Sequence, residues 1–146
     1  LIPMDTYFYI PVTAAVIEKD EKILIAKRKK AYMGYLWEFP GGKQKEGETL
    51  EECLKREIKE ELGIDIAVGS FLCSVKHILN CQSAIELYAF KAIPLSYEFH
   101  LKDHDEIRWV EVEELPAYSF FEPDRMIVRR LMELISQEHK KDGPTA

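Results

Sequence analysis

GKQKEGETLEECLKREIKEELGI, residues 42–64, is the stretch that decides how this chain folds and what it can hold. Leu50, Leu54, Ile58 and Leu62 recur every four residues, the spacing of a buried helical stripe. Glu57, Glu60 and Glu61 stand at i, i+3 and i+4, so a helix brings their carboxylates to one face. Three like charges so close repel one another unless cations hold them. An acidic stripe back to back with a core stripe is what a divalent-metal site needs. Both ends of the helix are written too. Thr49 to Glu52 fits a capping box with Thr49 as N-cap, and Gly63 suits the left-handed residue that ends a helix. Upstream, Pro40-Gly41-Gly42 predicts a tight turn whose backbone can approach a ligand closely.

Working outward, Val12 to Ile17 reads as a buried strand, Glu18 to Glu21 as a polar turn and Ile23 to Ala26 as the hairpin partner. Trp37-Glu38-Phe39 leads into the glycine turn. Further strands are expected at Ala67 to Ile78, Ala84 to Ile93 and Ile107 to Val112. A second helix is expected over about Pro123 to Gln137, with Ile127, Leu131, Leu134 and Ile135 facing inward and Asp142 to Ala146 left as a frayed tail. This is a compact α/β pattern with no internal repeat or linker, read as one domain over residues 1–146, with Met4 a candidate native start after Leu1 to Pro3.

A chain of 146 residues with 47% hydrophobic and 32% charged content has the composition of a soluble globular domain able to bury a sizeable core. Cys53, Cys73 and Cys81 are odd in number and lack C-x-x-C spacing, which predicts reduced thiols and a cytoplasmic location. With no leader-like start and no apolar run long enough to span a bilayer, neither export nor membrane insertion is expected. The net charge of −6 argues against nonspecific duplex binding. Lys27 to Lys30, Lys43 and Lys45 nevertheless place cations beside the acidic stripe. Lys29 and Lys30 read as a solvated loop, and Arg28, at the end of an apolar strand, reads as a ligand candidate. Carboxylates at this density suit Mg²⁺, with Mn²⁺ as substitute, rather than zinc.

The spacing G-x5-E-x7-R-E-U-x-E-E-x-G-U (U apolar) is filled by Gly42, Glu48, Arg56, Glu57, Ile58, Glu60, Glu61, Gly63 and Ile64. In this the chain resembles the Nudix hydrolases. Leu36 to Lys43 and Asp105 to Val110 look like the MutT-like branch, and residues 12 to 135 can be laid on that pattern. The resemblance implies an α+β fold, an αβα sandwich around a mixed β-sheet. It implies metal-dependent hydrolysis of a nucleoside triphosphate, of an oxidised purine or of cytosine, to monophosphate and pyrophosphate. It makes Glu60, Glu61 and the Gly42 carbonyl metal ligands, and Glu57 either a ligand or the base acting on water. Arg56 would hold these acids in place, Glu48 would brace the loop and Gly63 would end the helix. Asp103 stands where relatives carry a further ligating Glu, and its shorter side chain would reach the metal through water. His104 would orient a phosphate or simply be solvated.

For the substrate, the resemblance puts Asp124 where the base edge is read, with Arg28 at base or sugar and Lys43 nearby. Phe39, Phe120 and Phe121 are stacking candidates, at least two of them expected in the core instead. Small nucleotides are the expected partners, and a monomer and a homodimer are equally open. The same box also serves hydrolases of ADP-ribose, dinucleoside polyphosphates or RNA 5′ ends, and non-catalytic nucleotide-binding modules. Those readings stay open alongside the first.

Overall fold

The computed structural model describes residue 3 and residues 6–32 and 34–141, so the expectations for Met4 and for 142–146 fall outside the described residues. Six strands and two helices run in the order β1 (Tyr9–Lys19), β2 (Lys22–Tyr32), β3 (Tyr35–Glu38), α1 (Leu50–Leu62), β4 (Ile66–Asn80), β5 (Ser83–Pro94), β6 (His104–Val110) and α2 (Glu122–Lys141). A 3₁₀ turn, Val112–Ala117, precedes α2.

The apolar run from Ala14 to Ile17 dictates the layers. Successive residues of a strand point to opposite faces. Ala14 and Val16 pack with Ile127, Val128 and Leu131 of α2, whereas Ala15 and Ile17 pack with Leu54, Ile58 and Leu62 of α1. β2 repeats the division, with Ile23 and Ile25 on the α2 side and Leu24 on the α1 side. A strand apolar on both faces needs cover on both, and each helix supplies one layer. The sheet order is β3-β2-β1-β5-β4, with β6 also on β2. β1 and β5 are parallel from Tyr9↔Ala84 to Ile17↔Ala92, while β4, β2, β3 and β6 pair antiparallel. The expected αβα sandwich with a mixed sheet is what forms.

Several boundaries differ from the sequence reading. Pairing of Glu18 with Ile23 and Lys19 with Lys22 narrows the hairpin turn to Asp20-Glu21, whose φ angles of 51° and 63° are those of a primed two-residue turn. Lys27 to Lys30 are strand, not loop. β2 continues through them because β3, which follows it directly, and β6, distant in sequence, pair with it on Lys27 and Arg28. Leu50, the first residue of α1, is only half-buried, and Cys53 joins Leu54, Ile58 and Leu62 in the core. Among the described residues no helix is long and apolar enough to cross a membrane.

The start of α1 is capped as its sequence predicts. Glu52 N–H donates to Thr49 Oγ1 at 3.1 Å, and Thr49 N–H donates to Glu52 Oε1 at 3.0 Å. Gly63, at φ 75°, closes the other end by donating its N–H to the Lys59 carbonyl. Thr49→Ala should therefore cost about 1 kcal/mol of folding free energy, read as a lower urea midpoint at unchanged slope.

Candidate active site

The loop before α1 is laid directly on the central strand. Ala15 N–H donates to the Pro40 carbonyl at 2.8 Å, Thr13 N–H to the Gly42 carbonyl at 2.8 Å, and Gln44 N–H to the Pro11 carbonyl at 3.0 Å. Both glycines of the turn are required, for different reasons. A Cβ at Gly41 would overlap the Thr13 backbone carbonyl, and one at Gly42 would overlap the Glu57 carboxylate. The acidic face of α1 is thereby pressed against the loop.

Arg56 joins the parts. Its Nη2 and Nε donate to the two carboxylate oxygens of Glu48 at 2.6 and 2.9 Å, a bidentate pair. Nη1 donates to Glu57 Oε1 at 2.9 Å and Glu60 Oε2 at 3.3 Å, and Nη2 also reaches the Lys43 carbonyl at 3.0 Å. The Arg56 guanidinium and the Lys45 N–H together hold Glu48 down at about 2, well below the usual carboxylate range. Glu48 and Arg56 thus bridge the loop and α1. The group that positions Glu57 and Glu60 is a single planar cation anchored on the loop.

Glu61 lies on the other side of that face, in a cavity of about 490 Å³. Burial, then repulsion from Glu38, Glu57 and Asp103 against one Gly41 N–H bond, pushes its carboxyl up to about 8. Its Oε2 is buried without a hydrogen-bond partner. Among the described residues, no three acid, His or Cys side chains are gathered tightly enough to enclose an ion, since Arg56 draws Glu57 and Glu60 to itself. The donor set nonetheless fits a hard dication: a buried carboxylate oxygen lacking a partner, with three acids around it. Glu57, Glu60, Glu61 and Asp103 are the residues that would hold it.

The Gly42 carbonyl, expected as a metal oxygen, accepts from Thr13 N–H, from Thr13 Oγ1 at 3.2 Å and from Cys53 Sγ at 3.5 Å, which fixes it beside β1 and the Glu57 carboxylate. His104 is neither loop nor solvated. It begins β6, is 4% exposed, and lies 3.3 Å through Nε2 from Glu38 Oε1. Glu38 itself was not singled out, although it lines the cavity and also takes Arg28 Nη1 at 3.0 Å. No local signal marks it, because Arg28, Glu38 and His104 meet only once β2, β3 and β6 have paired.

At the far end of the cavity Asp124, in the first turn of α2, is 7% exposed and accepts the Phe39 N–H through Oδ2 at 3.0 Å. Burial pushes its carboxyl up to about 8, with Phe39 N–H opposing, Glu38 adding and Arg28 subtracting. Phe39 and Phe120 are 3% and 1% exposed and stack on each other at 5.2 Å, so they are core. Phe121 is half-buried, lines the cavity and is held edge-on by Tyr35 and His77. Phe39 also lines the cavity, but Phe121 is the more exposed of the two. Val12, Leu79, Ile85 and Leu87 form the apolar wall opposite the acids, and Lys43 and Arg28 stand on the rim.

Comparison with known proteins agrees with this geometry. Residues 9–131 match the family profile described as "NUDIX domain". The chain is 35% identical over 128 residues to an 8-oxo-dGTP diphosphatase of Buchnera aphidicola, covering 87% of this chain and 96% of that one. It is 33% identical over 126 residues to a CTP pyrophosphohydrolase of Escherichia coli, covering 86% and 93%. Among solved structures, the E. coli ORF135 protein superposes with a TM-score of 0.80 at 31% identity, covering 92% of this chain and 96% of that one.

Two measurements check the site. Gly42→Ala should leave the thermal midpoint nearly unchanged while abolishing turnover, because only the flexible end of Glu57 must yield. Gly41→Ala should unfold the protein at lower temperature, because the obstacle is the β1 backbone itself. The second concerns pH. The fold favours neutral Asp124, so that contribution is full below its ordinary 3.8 and is lost as pH rises through about 8. Asp124→Asn keeps the acceptor for Phe39 N–H without the charge. Its melting temperature should exceed that of the parent by a gap that opens from about pH 4 and levels off above about pH 8.

Proposed function

The chain belongs to the NUDIX family, and from that premise we propose that residues 1–146 form one Mg²⁺-dependent hydrolase domain that cleaves a nucleoside triphosphate to its monophosphate and pyrophosphate. The observation that carries this reading is the corner where Arg56-held Glu57 and Glu60 meet Glu61, whose Oε2 is buried, at the wall of a cavity of about 490 Å³. That lies within the range of small-molecule binding pockets, about 300–1,000 Å³. Relatives named for 8-oxo-dGTP and for CTP cover nearly their whole length with this chain.

When bound, the cation supplies charge neutralisation for the phosphate oxygens and lowers the pKa of an attacking water. The chain's own residues do the rest. Glu60 and Glu61 would hold the cation directly, and Asp103, exposed beside Glu61, would do so through water. Glu57 is fixed through Oε1 by Arg56, so its Oε2 is the atom that takes the proton from water. Lys43 and Arg28 meet the anionic end of the substrate and its sugar. Phe121 covers the base, and Asp124 reads its edge, accepting from an amino or ring N–H. Both a guanine-type and a cytosine edge offer such donors, in keeping with the two relatives' names.

Glu60→Gln should raise the Mg²⁺ concentration for half-maximal rate and lower turnover by about 10²–10³-fold, with the fold intact because Glu60 is exposed. Pyrophosphate release from 8-oxo-dGTP, dGTP, CTP and dCTP, with ADP-ribose and triphosphorylated RNA as comparators, identifies the substrate. Turnover of ADP-ribose alone would replace the triphosphate reading.

A further inference from the structure

Residues 95–103, between β5 and β6, follow a path set by the end of α1. A helix leaves its last carbonyls without partners inside the helix. Here the segment supplies them: His100 N–H donates to the Leu62 carbonyl at 2.9 Å, and Lys102 N–H to the Glu61 carbonyl at 3.1 Å. Where the segment starts, Leu95 N–H donates to the Asp65 carbonyl at 2.8 Å and Asp65 N–H to Ser96 Oγ at 2.9 Å. Where it ends, the Asp103 carbonyl accepts the Lys29 N–H of β2 at 3.5 Å. A Cβ at Gly63 would stand 3.0 Å from His100 Cβ and 3.2 Å from His100 N, so the segment lies tight against the helix end.

Side chains alternate along this stretch as they do in extended chain. His100 and Lys102 are exposed, whereas Phe99 and Leu101 are half-buried and pack with Leu54, Ile58 and Leu62 of α1. Phe99 also meets the Trp109 ring of β6 in a T-shaped pair at 6.5 Å. The two apolar side chains therefore seat the segment, and the two amides between and beside them register it on the helix. What that register carries is Asp103. It follows Lys102 directly, so the bond from Lys102 N–H to the Glu61 carbonyl sets it one residue beyond a main-chain contact with Glu61. Glu61 and Asp103 line the same cavity from different elements. We propose that Phe99 and Leu101 are positioning residues for Asp103: seated in the α1 layer, they hold the segment on the last carbonyls of the helix and keep Asp103 beside Glu61, so that both acids serve one cation. This rests on the proposed function in taking Glu61 and Asp103 as cation contacts. It adds that their spacing is set by two apolar residues, neither of which lines the cavity.

Two readouts that need no turnover test it: amide exchange followed by NMR, and Mn²⁺ affinity of the nucleotide-free protein measured by electron paramagnetic resonance. Leu101→Ala should speed exchange at the His100 and Lys102 amides by about tenfold while the helix-interior amides of α1 keep their protection. Asp103→Asn should weaken Mn²⁺ by about tenfold, and Leu101→Ala by about three- to tenfold. Because Leu101 acts through Asp103, the double variant should bind Mn²⁺ no more weakly than Asp103→Asn alone. Leu101→Met, close in volume, should restore the affinity. Leu101→Val should show a smaller loss in the same direction, and serves if the Ala variant does not fold. Unchanged exchange at both amides, unchanged Mn²⁺ affinity in Leu101→Ala, or additive losses in the double variant would each overturn the proposal. Unchanged affinity in Asp103→Asn would overturn it together with the cation role of Asp103, and a parent that binds no Mn²⁺ would overturn it together with the whole cation reading. Mn²⁺ binding without hydrolysis of any nucleotide would overturn only the reaction.

Discussion

One guanidinium holds this site together. Arg56 reaches Glu48, Glu57, Glu60 and the Lys43 carbonyl from a single planar group. A lysine could not replace it, because a point charge on a flexible stem cannot satisfy a bidentate carboxylate and two further acids in fixed directions. The pairing with Glu48 ties α1 to the loop before it, and that tie sets where the helix presents its acids. Its half-exposed position keeps each single ion pair modest in energy. The value of the network is geometric: it selects one arrangement of carboxylates that would otherwise repel one another apart.

The parts of the molecule that were legible from sequence are those whose physics is local. Helix periodicity, the Thr49 to Glu52 cap, the Gly63 stop and the acid spacing all act within a few residues, and all appear in the structure. The layers were legible as well, because Ala14 to Ile17 is apolar on both faces and must be covered twice. Strand ends were less so. β2 extends through Lys27 to Lys30 with β3 and β6 paired on it, and β6 lies far outside any window of sequence around those lysines.

The same reason explains what was missed in the site. Glu38 and His104 are 66 residues apart, and a cross-strand meeting of that kind leaves no spacing to read. The contacts of the Gly42 carbonyl with Thr13 and Cys53 were not legible either, since the box pattern mentions neither residue. Phe39, Phe120 and Phe121 look alike in sequence, yet the first two are stacked and buried while Phe121 is half-buried at the cavity. Asp124 lies where the alignment put it, but its burial and its bond from the Phe39 backbone are tertiary facts.

The docking of the Pro40–Gly42 turn onto β1 has a dynamic consequence. Most substrate loops can flutter while the scaffold beneath them stays closed. Here the amides of Thr13 and Ala15, in the middle of the central strand, are capped by the loop's own carbonyls. Solvent deuterium cannot reach those two amides unless the loop lifts, and the loop cannot lift without stripping the edge of the strand at the heart of both hydrophobic layers. Exchange at the amides of Thr13 and Ala15 therefore reports directly on lifting of the loop that carries the glycine turn.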